Sequence, residues 1–387
     1  MPEKVKKRHL LDYSILLPYI FLCITGLMMV YSSTSYVAMT ATPPTTSASY
    51  VINQSLFWVL SLILITIMYK MKTDVFRHKK FVQIAMIVIL VLLIAAFFFD
   101  KRNGAYGWLS IAGFSVQPAE YLKFIVVWFL AMTLSYRQKG IQQDFLKTVW
   151  RPIGIVLVYT AILGFYPDFG NAVIVVLLAF TVLLSSGLNY LYTLILGGAG
   201  IIASGLIIFV VRLTGGKFLP AYIYSRFASY LNPFADEYNT GHQMVNGYYA
   251  MFNGGLFGRG LGNSIQKRGF LNEAHTDYIF SIVMEELGLI PSIIILGILF
   301  YMVGRIFLIG IRSRDPFNSM MCTGIGMLFL SQIFINLGGI TGIIPLTGIT
   351  FPFLSQGGSS LLMLSICIGF VLNISAEEKR KEYSLND

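Results

Sequence analysis

Long apolar runs separated by short polar or charged segments recur along the whole chain. A helix needs about 20 apolar residues to cross a bilayer core, and on that measure the pattern predicts about ten spans. They fall near 12–35, 51–69, 81–99, 119–136, 152–166, 170–187, 190–212, 277–304, 318–338 and 357–375. The fold class this implies is an all-α polytopic membrane protein: one membrane domain over 1–387, with a large loop at 213–276 between the seventh and eighth helices. No soluble domain and no internal repeat stands out. The polar stretch Ala41 to Ser49 reads as a flexible connector with turn residues.

Composition sharpens this picture. The chain is 56% hydrophobic and only 12% charged, against about 25% charged for a soluble globule. Its net charge of +10 raises the question of nucleic acid. The basic residues, however, are dispersed among the apolar runs, which argues for orientation in a membrane and against a nucleic-acid partner. With ten spans, one face collects the N-tail 1–11 (Lys4, Lys6, Lys7, Arg8) and the basic loops 70–80, 137–151 and 305–314. The C-tail 376–387 (Lys379, Arg380, Lys381) falls there too. Both termini are then expected in the cytoplasm, and 36–50, 100–118, 213–276 and 339–356 outside. The first apolar run, Tyr13 to Val30, exceeds the roughly 7 to 15 residues of a signal-peptide core, so it reads as an uncleaved span. Cys23, Cys322 and Cys367 lie in apolar segments without ligand spacing and read as small hydrophobes.

Candidate chemistry concentrates between Asn253 and Leu289, NGGLFGRGLGNSIQKRGFLNEAHTDYIFSIVMEELGL. A glycine-rich loop with Arg259, Lys267 and Arg268 leads to a polar cluster of Glu273, His275, Thr276 and Asp277, after which the chain turns apolar at Tyr278. This is a water-to-membrane boundary. A carboxylate placed there can meet a water-soluble group while its neighbours hold the lipid-borne part of the same molecule. Asp277 can equally be read as a helix cap. Treated as one continuous helix from 277, the chain puts Glu285 about 12 Å deeper and within about 80° of the Asp277 face, with Glu286 opposite. Each buried carboxylate should have a partner, since insertion at depth costs about 2.5–3.5 kcal/mol.

The glycine spacing fits neither GxGxxG nor GxxxxGK[ST], so no nucleotide loop is read here. His242 and His275 form no zinc spacing. Arg226, Arg259, Lys267 and Arg268 are the cations open to a diphosphate, with solvated or lipid-facing charge as the competing reading.

Three further blocks carry structure or chemistry. In YGWLSIAGFSVQPAEYLK, Pro118 suits a first helical turn, and Glu120 with Lys123 are i, i+3 neighbours whose pairing would let a lysine enter the span. In YPDFGN, Asp168 reads as an N-cap. In ITGIIPLTGITFPFLSQGGSS, the prolines and glycines prevent regular helix at about membrane depth, which is tolerated only where backbone is buried in protein or lines a wet cavity. Thr347, Ser355, Gln356, Ser359 and Ser360 can satisfy the freed groups there, so the block reads as a pocket wall.

GGLFGRGLGNSIQK followed by EAHTDYIFSIVMEELG resembles the signature of the SEDS family (shape, elongation, division and sporulation), membrane glycosyltransferases that polymerise lipid II into peptidoglycan. The other blocks resemble that family too, with Ala119 in place of its usual serine, and EAHTD and PLTGITFPFLSQGGSS are closer to the division-type branch than to the elongation type. The resemblance implies that Asp277 is the catalytic base, that Glu120 and Lys123 sit near the catalytic pocket, and that Arg226, Arg259, Lys267, Glu285 and Ser359 belong to the substrate site. It further implies a class B penicillin-binding protein as partner, other division proteins, a divalent cation (Mg or Mn), and a place in the bacterial cytoplasmic membrane at the septum. A lipid II flippase and a non-catalytic division scaffold are the rival readings. The first predicts midplane ionisable groups and related halves. The second predicts that Asp277→Asn is silent.

Overall fold

The computed structural model describes residues 10–41, 43–99, 106–111, 114–188, 190–214 and 221–386. The cations Lys4, Lys6, Lys7 and Arg8 of the expected N-tail lie outside the described residues, as do 100–105 and 112–113 of the second outer loop and 215–220 of the large loop.

In chain order the helices are α1 (Tyr13–Ser33), α2 (Ser35–Thr40), α3 (Ser47–Lys70), α4 (Thr73–Phe76), α5 (Lys79–Ala96), α6 (Pro118–Ser135), α7 (Gln138–Gln143), α8 (Phe145–Phe165), α9 (Phe169–Ser185), α10 (Tyr190–Thr214), α11 (Ala221–Leu231), α12 (His242–Gly254), α13 (Ile279–Leu287), α14 (Leu289–Arg312), α15 (Pro316–Ile340) and α16 (Gly358–Asn386). Among the described residues, eight are long and apolar enough to cross a membrane: α1, α3, α5, α6, α8, α14, α15 and α16. The shorter apolar α9 and the 25-residue α10 complete the ten expected.

Two details are added and one expectation changes. The loop before α6 contains a short antiparallel hairpin, β1 (Leu109–Ile111) with β2 (Phe114–Val116), in an otherwise helical fold. The large loop is itself ordered by α11 and α12. The eighth span does not run unbroken from 277: α13 ends at Gly288, whose backbone (φ 90°, ψ 176°) only glycine adopts readily, and α14 starts anew. The glycine-rich loop lies against this break and satisfies the backbone groups it frees. Arg259 and Gly260 N–H donate to the carbonyls of Glu285 and Glu286, and Leu289 and Ile290 N–H donate to Gly255 and Leu256, all at 2.9–3.1 Å.

Helix starts follow a common rule. Asp12, Asp144, Asp168 and Asp315 each cap their helix by accepting backbone N–H groups, as expected for Asp168. Ion pairs then tie one end of the bundle together. Asp12 binds Arg305 (3.0 Å) and Lys379 (3.5 Å), and Arg77 binds Asp315 (2.7 Å). The starts of α1 and α15 and the C-terminal parts of α14 and α16 therefore share that end, and α16 runs on helically through the expected C-tail. At the bundle's centre, α15 packs against α14, α9 and α6, and α16 against α3 and α6. Their most apolar stretches are 72% and 89% buried, against 17% for α3, so α15 and α16 form the scaffold and α3 faces lipid.

Candidate functional site

At the end opposite the termini, the non-helical stretch 341–357 folds over the segment before α13. Asn336, near the end of α15, donates from Nδ2 to the carbonyls of Asp277 and Ile349, both at 2.7 Å. Ser355 Oγ donates to the Thr276 carbonyl (2.7 Å), and Gln356 N–H to that of His275 (2.9 Å). Gln54 of α3 completes the frame by donating to the Ser355 carbonyl (3.4 Å) and accepting from Gly357 N–H (3.3 Å). The stretch is non-helical, as its prolines and glycines predicted, and it is anchored to the polar cluster around Asp277.

Asp277 does not cap a helix: α13 begins at Ile279 and has no side-chain cap. The half-buried carboxylate instead turns toward Gly348. A Cβ on Gly348 would stand 3.5 Å from Asp277 Oδ2 and 3.9 Å from Arg226 Nη2, so acid and cation both lie next to one backbone position. Gly348 has φ 79°, which glycine adopts readily, and its lack of a side chain leaves the space next to both groups open. Arg226 is fixed by donating to the Thr347 carbonyl at 3.3 Å. Burial raises the Asp277 carboxyl, and the nearby Glu273 carboxylate raises it further, while Arg226 and the Thr276 hydroxyl oppose them. The group is pushed up to about 7. Burial also holds the His275 imidazole below its ordinary value, against the pull of Glu273.

A second polar group lies at the start of α6. Lys123 Nζ pairs with Glu120 Oε1 at 2.6 Å, both side chains buried, as the i, i+3 spacing predicted. Gln117 Nε2 reaches Asp168 Oδ2 (3.4 Å). Ser359 bridges the hairpin to α16, donating to the Ser115 carbonyl and accepting from Gln117 N–H, each at 3.2 Å. The 341–357 stretch connects the two groups: Gly170 on α9 abuts Thr347 and Ile349, and the Thr350 and Ser360 hydroxyls lie 3.2 Å apart.

Two predicted site residues are engaged elsewhere. Lys267 is not held out to a diphosphate: it is buried, with Nζ 2.6 Å from Glu286 Oε1 and 2.7 Å from Ser32 Oγ. Glu285 does not share a cavity with Asp277. Its carboxylate receives Ser264 Oγ (2.5 Å) and the N–H groups of Ile265 (3.0 Å) and Gln266 (3.4 Å). The loop folds back over the far end of α13, and its amides are the partners a buried carboxylate requires. Arg259 and Arg268 are exposed on that loop, with the Arg259 backbone beside Glu285 rather than Asp277.

Asn336 and Gln54 were missed in the sequence. A lone amide inside an apolar helix was the available signal. Among the described residues, no three His, Cys, Asp or Glu side chains gather into a metal-holding group.

Comparison with known proteins agrees with this architecture. The family model described as cell cycle protein, named for FtsW, RodA and SpoVE, matches residues 13–380. The chain is 42% identical to the probable peptidoglycan glycosyltransferase FtsW of Lactococcus lactis subsp. lactis, covering 98% of this chain and 96% of that one. It is 36% identical to the probable peptidoglycan glycosyltransferase FtsW of Bacillus subtilis, covering 100% and 96%. Among solved structures, a chain from work on the structural coordination of polymerization and crosslinking by a peptidoglycan synthase complex shares the fold, with TM-score 0.74, 22% identity and coverage of 94% and 97%. The rod shape determining protein RodA of Thermus thermophilus does so with TM-score 0.66, 20% identity and coverage of 94% and 96%. From Tyr13 almost to its last residues, the chain belongs to the FtsW/RodA/SpoVE family of cell cycle proteins, on the FtsW branch.

Proposed function

We propose that this membrane protein is a peptidoglycan glycosyltransferase that polymerises lipid II on the outer face of the bacterial cytoplasmic membrane, at the septum and with both termini in the cytoplasm. The observation that carries the reading is the placement of Asp277 and Arg226 together beside Gly348. The names of the relatives supply the reaction class.

In this reaction a sugar hydroxyl of one lipid II attacks the anomeric carbon of another. The new carbon–oxygen bond forms as the bond to the polyprenyl diphosphate breaks, and the hydroxyl proton passes to an Asp277 oxygen. A single displacement inverts the anomeric centre and needs no second nucleophilic carboxylate. With its carboxyl pushed up to about 7, Asp277 is matched to proton abstraction near neutral pH. Arg226 presents a guanidinium to the diphosphate charge that grows as the bond breaks. Ser359 and the Glu120–Lys123 pair belong to the adjoining wall, and Arg259, exposed on the glycine-rich loop, would meet substrate only from that side. Among the described residues no three His, Cys, Asp or Glu side chains gather to hold a divalent cation, and no step is assigned to one. A class B penicillin-binding protein transpeptidase is the proposed partner, supported by the fold shared with a chain of a peptidoglycan synthase complex.

The test is polymerisation of fluorescent lipid II by purified protein, with and without that transpeptidase, under a blocker of classical glycosyltransferases. Wild type should make strands, and Asp277→Asn should lose about 10²–10⁴-fold in rate, the usual contribution of a general base. Equal strands from the mutant remove Asp277 from the role. No strands from either, even with the partner, favour a flippase or a scaffold.

A further inference from the structure

At the bundle end that carries the termini, where α6, α7 and α8 meet, lies an open cavity of about 580 Å³ lined by Arg137, Gly140, Lys147, Thr148, Trp150 and Arg151. Its place in the bundle follows from contacts. Lys79, at the start of α5, lies 5.3 Å over the ring of Tyr136, next to Arg137. On the same helix Trp128 donates to the Phe76 carbonyl at 2.7 Å, beside the Arg77 that pairs with Asp315.

The cavity's charge is unbalanced. Lys147 is paired with Asp144 (2.9 Å), whereas among the described residues no carboxylate lies in ion-pair range of Arg137 or Arg151. The two guanidinium groups are nevertheless positioned. Arg137 donates an N–H to the Thr148 carbonyl (3.1 Å), and Arg151 rests 5.2 Å from the centre of the Trp150 ring. Two oriented guanidinium groups around a concave site match the oxygens of a phosphate. The neighbourhood says what carries that phosphate. Tyr136, Leu146 and Trp150 are each more than 60% exposed at the ends of membrane spans, the aromatic and apolar dress of a membrane–water interface.

We propose that this cavity binds the phosphate of an anionic phospholipid in the leaflet facing the termini. A zwitterionic headgroup would bring its own cation to two uncompensated arginines, so an anionic lipid such as phosphatidylglycerol is the better ligand. The site lies at the opposite end of the bundle from Asp277 and is independent of the proposed reaction.

The experiment measures lipid binding to purified full-length protein by native mass spectrometry and by the shift in unfolding temperature. The probes are phosphatidylglycerol, phosphatidylcholine and inorganic phosphate, compared between wild type and Arg137→Gln/Arg151→Gln. Wild type should retain phosphatidylglycerol in preference to phosphatidylcholine, and the double variant should bind it at least about tenfold more weakly. Raising the salt concentration on wild type alone should release phosphatidylglycerol selectively, so the proposal stays testable if the double variant does not fold. Equal retention of the two lipids by wild type, or unchanged phosphatidylglycerol binding by a folded double variant, overturns it. Inorganic phosphate stabilising wild type as well as the lipid does would assign the cavity to a soluble phosphate and overturn the lipid reading.

Discussion

The Lys267 ammonium lies 2.6 Å from Oε1 of Glu286, both side chains almost wholly buried, and Ser32 of α1 binds both. Lys267, a candidate cation for the diphosphate in the sequence, thus joins Glu286, read there as facing away from Asp277, in one joint between α1, the glycine-rich loop and α13. Lys267→Ala leaves a buried carboxylate without its counter-charge and should destabilise the protein by about 3–5 kcal/mol. Lys267→Met with Glu286→Gln should recover much of that loss. Thermal unfolding of the purified variants measures both, and a stable Lys267→Ala protein would show that the joint is not needed for folding.

The balance at Asp277 predicts a pH profile. The base works deprotonated, so polymerisation should rise as pH increases through about 7. Glu273→Gln removes a negative neighbour that favours the protonated form, and should move this limb to lower pH. Arg226→Gln removes the opposing cation, so it should move the limb to higher pH as well as slow the reaction. Initial rates across the neutral range decide the matter: a limb that stays put in both variants excludes Asp277 as the titrating group.

Gly348 and Gly288 should fail for different reasons. Gly348→Ala puts a side chain on a backbone at φ 79°, 3.5 Å from Asp277 Oδ2 and 3.9 Å from Arg226 Nη2. About 1–2 kcal/mol of strain is expected, with a fall in kcat larger than any change in unfolding temperature. Gly288→Ala meets the backbone of Phe257 and Gly258 at the helix break, so stability should suffer first. Unfolding temperature and polymerisation rate, measured together, separate the two.

The Glu120–Lys123 pair gives a sharper test of its role. Lys123→Met alone strands a buried carboxylate and should lower stability by about 3–5 kcal/mol. Glu120→Gln with Lys123→Met should fold well. If the pair belongs to the substrate wall, that folded double variant polymerises poorly; full activity would assign the pair to packing alone.

Much of this protein was legible in the order of its residues. Apolar run lengths announced the membrane spans, eight of which are helices long enough to cross among the described residues, because a bilayer demands a minimum length of every helix that crosses it. Close neighbours were equally readable: i, i+3 spacing paired Glu120 with Lys123, and chemistry at a helix start made Asp168 a cap. The breakers between Ile340 and Ser360 announced a non-helical wall, since irregular backbone at that depth must be covered.

What only the tertiary structure decided are partnerships between residues far apart in the chain. Ser32 meets Glu286, and Gln54 meets Ser355. The break at Gly288 depends on loop amides some thirty residues earlier, though the glycine itself, with Pro291 just beyond, was a signal to stop a helix there. Extending one helix from Asp277 placed Glu285 in the wrong company, because helical periodicity describes a helix only as far as it continues. Local spacing reports the few ångströms along one element. Whether a buried charge faces substrate or a partner depends on which elements pack together, and packing is a property of the whole chain.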